Sequence, residues 1–403
     1  MPVEKLFEPL TFKNGVTIKN RLYKGAMSEG MADKTHRPTV ELINAYKRWA
    51  DGGIGISITG NVMIDRRYLG EPGNVVVEDE RDLDILKDWA EAGRQNNSHI
   101  WMQINHPGKQ SPKSVSKQPV APSAIPISGS AGSAFNPPRE MTLNEIQDTI
   151  NRFIKTAIVA KKAGFTGVQI HGAHGYLVSQ FLSSRDNIRN DEYGGSLEKR
   201  MQFLIDVYTG VRAALGEKFP ISLKINSADF DDKGFSFEDS IAVIKKMDAL
   251  GIDHIEISGG DYEKPEMMGD GEVYFLDYAK KISSEVNTPI AVIGGFRKKD
   301  SMIHAMTHTD VSMIGIGRAL VLNPKLPNQL QENTYQDMTL PRLTTKVKAL
   351  DKMFGGFIGI SYYEQQIRRL GNNKSPEIHQ NAWGALFDMA KIHGPRAFTK
   401  RRR

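Results

Sequence analysis

Eight short apolar runs alternate with helix-spaced stretches along this chain of 403 residues. The runs cover residues 21–26, 54–59, 100–104, 167–171, 221–225, 254–258, 290–293 and 311–315. Most are rich in Val and Ile and nearly continuous in apolar character, as parallel strands covered on both faces must be. Helical stretches are expected between them at 80–96, 142–163, 196–215, 236–250 and 275–286. In the first, Leu83, Ile85, Leu86 and Trp89 fall at helical spacing. The second opens on Thr142 with Glu145 three residues on, the pattern of a capping box. Eight β/α units predict an α/β chain closed into a (β/α)8 TIM barrel. An open doubly wound sheet would want a Gly-x-Gly-x-x-Gly turn after its first strand, and Lys24-Gly-Ala-Met-Ser-Glu-Gly30 does not supply one.

The length suits one such barrel, about 250 residues or more, with additions. Residues 1–330 are assigned to the barrel, and 331–403 to a C-terminal helical tail packed on the barrel or on a partner subunit. Helical character in the tail is expected after Gly359, with Tyr362 and Tyr363 reaching toward a neighbour's pocket. Residues 106–139, rich in Ser, Pro, Gly and Lys, form an unusually long βα connection leaving the C-terminal end of the third strand. A lid or small hairpin is expected there.

Hydrophobic residues make up 39% and charged residues 25%, an ordinary globular balance. Cysteine is absent, which excludes disulfides, thiolate catalysis, cysteine-bound zinc and iron–sulfur clusters in this chain. The first residues lack the charged-then-apolar pattern of a signal peptide. No apolar run approaches the roughly 20 residues needed to cross a bilayer. The expectation is a cytoplasmic protein with no membrane partner. Part of the net charge of +6 lies in Lys400-Arg-Arg-Arg403, read as a solvated terminus. Charges elsewhere mix in sign without a basic stripe, so no nucleic-acid partner is expected.

In a barrel, side chains at the C-terminal ends of different strands meet in one place. Here those ends carry Ala26, Met27 and Ser28; Gly60; Gln103, Asn105 and His106; His171, leading into His174 and Tyr176; Lys224 and Asn226; Ser258-Gly-Gly260; Gly294 and Gly295; and Gly317 with Arg318. Glycines after the seventh and eighth strands let backbone N–H groups approach an anion, and Arg318 adds charge, so a phosphate site is expected there. Gln103 and Lys224 suit a heterocycle with imide edges that gains negative charge on reaction, as a flavin does. A lysine inside an apolar strand needs a partner. His171 and His174 beside Tyr176 set two hydrogen-bond donors beside a weak acid, able to hold a carbonyl oxygen and deliver a proton. A metal reading of the two histidines is discounted. Catalytic zinc wants three protein ligands, and neither His-Glu-x-x-His nor a nearby carboxylate pair is present. Asp186, Asp191 and Glu192 lie among arginines and read as salt-bridged loop structure.

The run His171-Gly-Ala-His-Gly-Tyr-Leu-Val-Ser-Gln-Phe-Leu-Ser-Ser-Arg-Asp-Asn-Ile-Arg-Asn-Asp-Glu-Tyr-Gly-Gly-Ser196 closely resembles the signature of the old yellow enzyme family of FMN-dependent ene-reductases. The likeness covers roughly residues 5–325 and includes Lys19-Asn-Arg21, Gln103, Ala121-Pro-Ser123, Pro289-Ile-Ala-Val-Ile-Gly-Gly-Phe296 and Gly315-Ile-Gly-Arg318. It implies tightly bound, non-covalent FMN with NADPH or NADH as co-substrate. Ala26, Met27, Ser28 and Gly60 would line the isoalloxazine, and Gln103 and Lys224 would hold its pyrimidine edge. Gly294, Gly295, Gly317 and Arg318 would bind the phosphate. His171 and His174 would hold a substrate carbonyl, and Tyr176 would protonate its α-carbon. The implied reaction is ping-pong reduction of an enone or enal, nitroalkene or quinone, with a homo-oligomer among the expected states. The chain departs from the family pattern at Ser28, where Cys or Thr is frequent, at Lys224, where Arg is usual, and at Ala26, where Pro is common. Those exchanges motivate an alternative, a flavin- or phosphate-binding barrel with lost or altered catalysis. Longer relatives add an iron–sulfur cluster and a second nucleotide-binding domain. With no cysteine, a single catalytic domain is expected here.

Overall fold

A computed structural model describes residues 2–129, 131–231, 233–259 and 275–393. Eight parallel strands among them close on themselves. They are β1 (Leu22–Lys24), β2 (Ile56–Ile58), β3 (His99–Asn105), β4 (Gly167–Gly172), β5 (Ile221–Asn226), β6 (His254–Ser258), β7 (Ile290–Ile293) and β8 (Met313–Ile316). Each pairs with the next, and β8 returns to β1. The (β/α)8 barrel read from the apolar runs is the fold. The register sets His171 beside Lys224, Lys224 beside Glu256, and Asn226 beside Ser258, so the polar residues of three adjacent strands share one end of the barrel.

The N-terminal end is plugged. A short antiparallel pair, Leu10–Thr11 with Thr17–Ile18, carries Phe12 under the barrel. The Phe12 ring lies 5.7 Å from Trp101 and 6.1 Å from His254. Phe12 is buried there, and the expected site residues lie at the opposite end, at the strands' C-termini.

Helices α1 (Val40–Asp51), α2 (Leu83–Gly93), α3 (Leu143–Ala163), α4 (Leu177–Leu182), α5 (Leu197–Leu215), α6 (Phe237–Ala249), α7 (Leu276–Ser283), α8 (Lys299–His308), α9 (Arg318–Leu322) and α10 (Leu326–Gln331) cover the strands. The capping box of α3 forms, and Gly164, at φ 91°, ends that helix in the left-handed conformation that favours glycine. Helices α1, α4, α8, α9 and α10 were not among the helical stretches read from the sequence. In α8 only Met302, Ala305 and Met306 are buried, too few to mark a face.

The excursion after β3 does not form the small hairpin that was one of the two forms expected there. Its strand pair, Val120–Ala121 with Arg139–Glu140, is parallel, and an isolated antiparallel bridge joins Pro112 to Phe135. The pair is therefore not the expected hairpin. The tail differs too. Helix α11 (Lys348–Gly371) starts well before Gly359, and α12 (Trp383–His393) follows. Asn44 of α1 donates its Nδ2 to the Gly371 carbonyl at 3.1 Å. Tyr362 and Tyr363 are both buried in their own chain, and the Tyr362 hydroxyl donates to the Glu377 carbonyl at 2.8 Å. They do not extend toward a neighbour. No helix among the described residues is long and apolar enough to cross a membrane. Gly260, Tyr274 and Lys400–Arg403 lie outside the described residues.

Candidate active site

His171 ends β4, and His174 and Tyr176 follow in the turn before α4. Their rings meet edge to face, His171 to His174 at 5.1 Å between centroids and His171 to Tyr176 at 4.9 Å. The turn is held from neighbouring segments. His174 has φ 59° and Gly175 φ 71°, a left-handed pair that costs free energy at the histidine unless its surroundings fix it. Asn226 of β5 accepts the His174 N–H at 3.2 Å, and Gln110 donates to the His174 carbonyl at 2.7 Å. The His174 Nε2 lies 2.8 Å from the Ser258 hydroxyl of β6. Ala173 N–H donates to His171 Nδ1 at 3.3 Å, so the neutral His171 ring carries its proton on Nε2. Burial, then His174 and Lys224, hold the His171 imidazole well below the ordinary histidine range. Burial, then Lys224, do the same to His174. Both rings are neutral at pH 7.

Asn61, just past β2, donates its Nδ2 to the Tyr176 hydroxyl oxygen at 3.4 Å. Asn105 of β3 donates to Asn61 Oδ1 at 3.2 Å and so fixes which way that amide faces. A donor aimed at a phenol oxygen favours the deprotonated form. Asn61 was not among the sequence candidates.

Lys224 has the partner its burial demanded. Its Nζ lies 3.0 Å from Glu256 Oε1, both side chains being buried. Gln169 Nε2 donates to Glu256 Oε2 at 2.9 Å, and Gln103 Nε2 donates to Gln169 Oε1 at 2.7 Å. Gln103 and Lys224 are thus two ends of one polar chain across β3 to β6. Glu256 balances the fixed positive charge read at Lys224. Glu256 and Gln169 were missed, although a glutamate two residues into an apolar strand was a visible signal.

The end of β1 is more elaborate than its sequence suggested. Lys24, fully buried, reaches Glu29 at 3.2 Å and the Ile58 carbonyl at 2.9 Å. Tyr46 of α1 donates to Glu29 and accepts the Gly60 N–H at 3.1 Å. A Cβ at Gly60 would meet the Met27 carbonyl at 2.6 Å, so Gly60 contributes close packing while its N–H stays within the protein. Ser28 donates to Glu71 and sits 2.8 Å from Glu364 Oε1 of α11.

At the far side, Gly294 and Gly295 both have positive φ, 121° and 81°. Among the described residues, a Cβ on Gly294 would meet the Phe275 ring, at 3.7 Å, and one on Gly317 would meet Met27, Sδ at 3.5 Å. These turns leave their backbone uncovered beside Arg318, as an anion site requires. Asp186 and Asp191 serve the loop instead, bonded to Lys109 at 2.8 Å and to Arg189.

A model of the NADH:flavin oxidoreductase / NADH oxidase family matches residues 5–337. The chain belongs to this family. It is similar to an NADH-dependent flavin oxidoreductase of Hypocrea jecorina (strain QM6a), 37% identical over 357 residues, 81% of this chain and 88% of the relative. An NADPH dehydrogenase of Clostridium acetobutylicum is 31% identical over 79% of this chain and 92% of its own length. The fold superposes on an old yellow enzyme homologue from Zymomonas mobilis with a TM-score of 0.72, at 26% identity, covering 83% of this chain and 95% of the other. As a member of the NADH:flavin oxidoreductase family the chain is a flavin-dependent oxidoreductase of old yellow enzyme type, with FMN as cofactor and NADH or NADPH as co-substrate.

The residues present fit that cofactor. The glycine turns beside Arg318 offer uncovered backbone to a phosphate, and the Gln103 to Lys224 chain offers both donors and acceptors to an imide edge. Asn226 Nδ2 is buried without a protein partner among the described residues, a free donor in the same end of the barrel.

Proposed function

We propose that this oxidoreductase reduces the activated C=C bond of α,β-unsaturated carbonyl compounds in a ping-pong cycle, one NAD(P)H being oxidised for each bond reduced. Enones and enals, nitroalkenes and quinones are the small-molecule acceptors this chemistry admits. FMN, when bound, supplies the two-electron relay between the nicotinamide and the acceptor.

The observation that carries the reading is the cluster at the barrel mouth in which the neutral His171 ring lies 5.1 Å from the neutral His174 ring and 4.9 Å from the Tyr176 ring. His171 presents Nε2–H, because its Nδ1 accepts a backbone N–H. His174 presents Nδ1–H if its Nε2 accepts from Ser258. Two such donors on one carbonyl oxygen polarise the acceptor and stabilise the negative charge that develops there as its β-carbon is reduced. Tyr176 then gives its phenol proton to the α-carbon, with Asn61 steadying the oxygen left behind. Solvent returns that proton, so one hydride equivalent and one proton enter the product per turnover.

In the same reading, Ala26, Met27, Ser28 and Gly60 line the ring system. Gly294, Gly295, Gly317 and Arg318 hold the phosphate. Gln103 and Lys224 hold the pyrimidine edge, with Glu256 making Lys224 more a directed donor than a net charge. The direct experiment is anaerobic. NADPH or NADH should bleach the purified yellow protein, and cyclohexenone should restore the colour. Colour that oxygen restores but no enone, nitroalkene or quinone does would overturn the acceptor assignment.

A further inference from the structure

Ser28 has one hydroxyl proton and two carboxyl neighbours. Its Oγ touches Glu71, in the connection after β2, and Glu364 Oε1 of α11 at 2.8 Å. A hydroxyl donates once. If it gives its proton to one carboxylate, the second contact needs a proton on the other carboxyl, donated back to the serine oxygen. The surroundings argue the same way. Asn74 Nδ2 donates to Glu71 Oε1 at 3.1 Å. The Glu29 carboxylate faces the pair from the end of β1 and is itself taken by Lys24 and Tyr46. Asp388 of α12 adds a further negative charge. Arg368, on Glu364's own helix, pairs with Glu364 Oε2 at 3.8 Å and with Asp388 at 3.2 Å. Two ionised carboxylates meeting on one serine would repel each other, and Arg368 is divided between Glu364 and Asp388.

The backbone is shaped to admit the contact. Gly30 has φ +55°, and a Cβ there would sit 3.3 Å from Glu364 Oε1. A Cβ on Gly73 would meet the Gly30 backbone at 2.8 Å. Side chains at either position would press the tail's carboxyl away from Ser28.

We propose that Glu71 and Glu364 share one proton through the Ser28 hydroxyl, and that Glu364 is a positioning residue that latches α11 to the barrel mouth and sets the direction of that hydroxyl. Burial and the nearby Glu364 push the Glu71 carboxyl up to about 8, and burial raises Glu364 as well. The latch stands whatever the barrel binds. Its effect on bound flavin rests on the proposed place of Ser28 beside the ring.

The test uses the full chain, flavin-loaded and flavin-free, as wild type, Glu364→Gln and Glu71→Gln. Infrared pH-difference spectra of the wild type should show a protonated-carboxyl stretch at neutral pH that vanishes in mildly alkaline solution. Either glutamine variant should lose that transition, since an amide supplies a permanent donor in the same place. Hydrogen exchange of the α11 amides should accelerate across the same transition in the wild type and become independent of pH in the variants. If Glu364→Gln does not fold, Glu71→Gln reads the same proton. A wild type without the band, or a transition that survives in a folded variant, overturns the proposal with or without flavin. A transition seen in the infrared, with no accompanying shift in the absorbance of bound flavin, supports the latch and removes Ser28 from the ring's surroundings.

Discussion

Bases that have lost their protons line one wall of the barrel mouth, and acids that keep one line the other. On the wall from β4 to β6, burial and Lys224 keep His171 and His174 uncharged. On the wall from β1 to α11, burial and neighbouring carboxylates hold the proposed shared proton on the Glu71 and Glu364 pair. The cause is shared, since low dielectric disfavours whichever form is charged. The outcomes differ because one set is basic and the other acidic. The histidine wall therefore presents hydrogen bonds from uncharged rings at neutral pH, which suits a site where charge should appear during reaction and not before it. The acidic pair, sharing one proton, keeps one negative charge between its two carboxyls.

The sharpest way to break the comparison is at Tyr176, the proposed proton donor on the basic wall. Tyr176→Phe should slow reoxidation by an enone by about 10²–10⁴-fold, the range for a positioned general acid. Reduction by NADPH should change little, because that step needs no proton from the phenol. Stopped-flow of the two half-reactions separates them, and equal slowing of both would refute the proton-donor role.

His171→Ala comes next. Removing one donor from a developing oxyanion costs about 10²–10³-fold, and the loss should fall on the acceptor half-reaction. With neutral imidazoles as donors, the wild-type acceptor step should show no histidine titration from pH 6 to 8. A rate that climbs as pH falls through the ordinary histidine range would mean the charged ring is the working form. Ser258→Ala should cost less, about tenfold or below, since Ser258 only orients the His174 ring.

The two walls were unequally legible in the sequence. His171, His174 and Tyr176 sit in six consecutive residues on one strand and its turn, so a local pattern carries the whole constellation. The strands were legible for the same reason, and β6 and β7 begin and end where their apolar runs do. Lys224 announced that it needed a partner, and only the register of β5 against β6 shows the partner to be Glu256. The acidic wall has no local pattern. Ser28 and Glu364 are 336 residues apart and meet only because α11 lies along α1. The start of α11 was hidden by Gly355, Gly356 and Gly359, each unfavourable in an isolated helix by about 1 kcal/mol. Tertiary packing supplies what propensity withholds there.

The smallest expected effect tests the comparison through stability alone. His106 and His254 are held down to about 4 and about 3 by burial, and His171 and His174 are lowered too. Below the unfolded value of 6.5 the unfolded chain takes up protons that these folded rings refuse, so this set removes stability as pH falls from 6.5. Glu71 acts in the opposite sense. Its folded carboxyl, near 8, keeps a proton that the unfolded one gives up near 4.5. Its contribution is whole below 4.5, declines as pH rises, and is gone above about 8. Between 4.5 and 6.5 the two sets oppose each other, and from 6.5 to 8 the declining term of Glu71 stands without the histidines against it. Denaturant unfolding at a series of pH values should therefore show stability falling over that upper window, by no more than about 1.4 kcal/mol per pH unit for one proton. In Glu71→Gln the fall should flatten while the acid-side loss stays. An unchanged slope in a folded variant would place the titrating proton elsewhere than on Glu71.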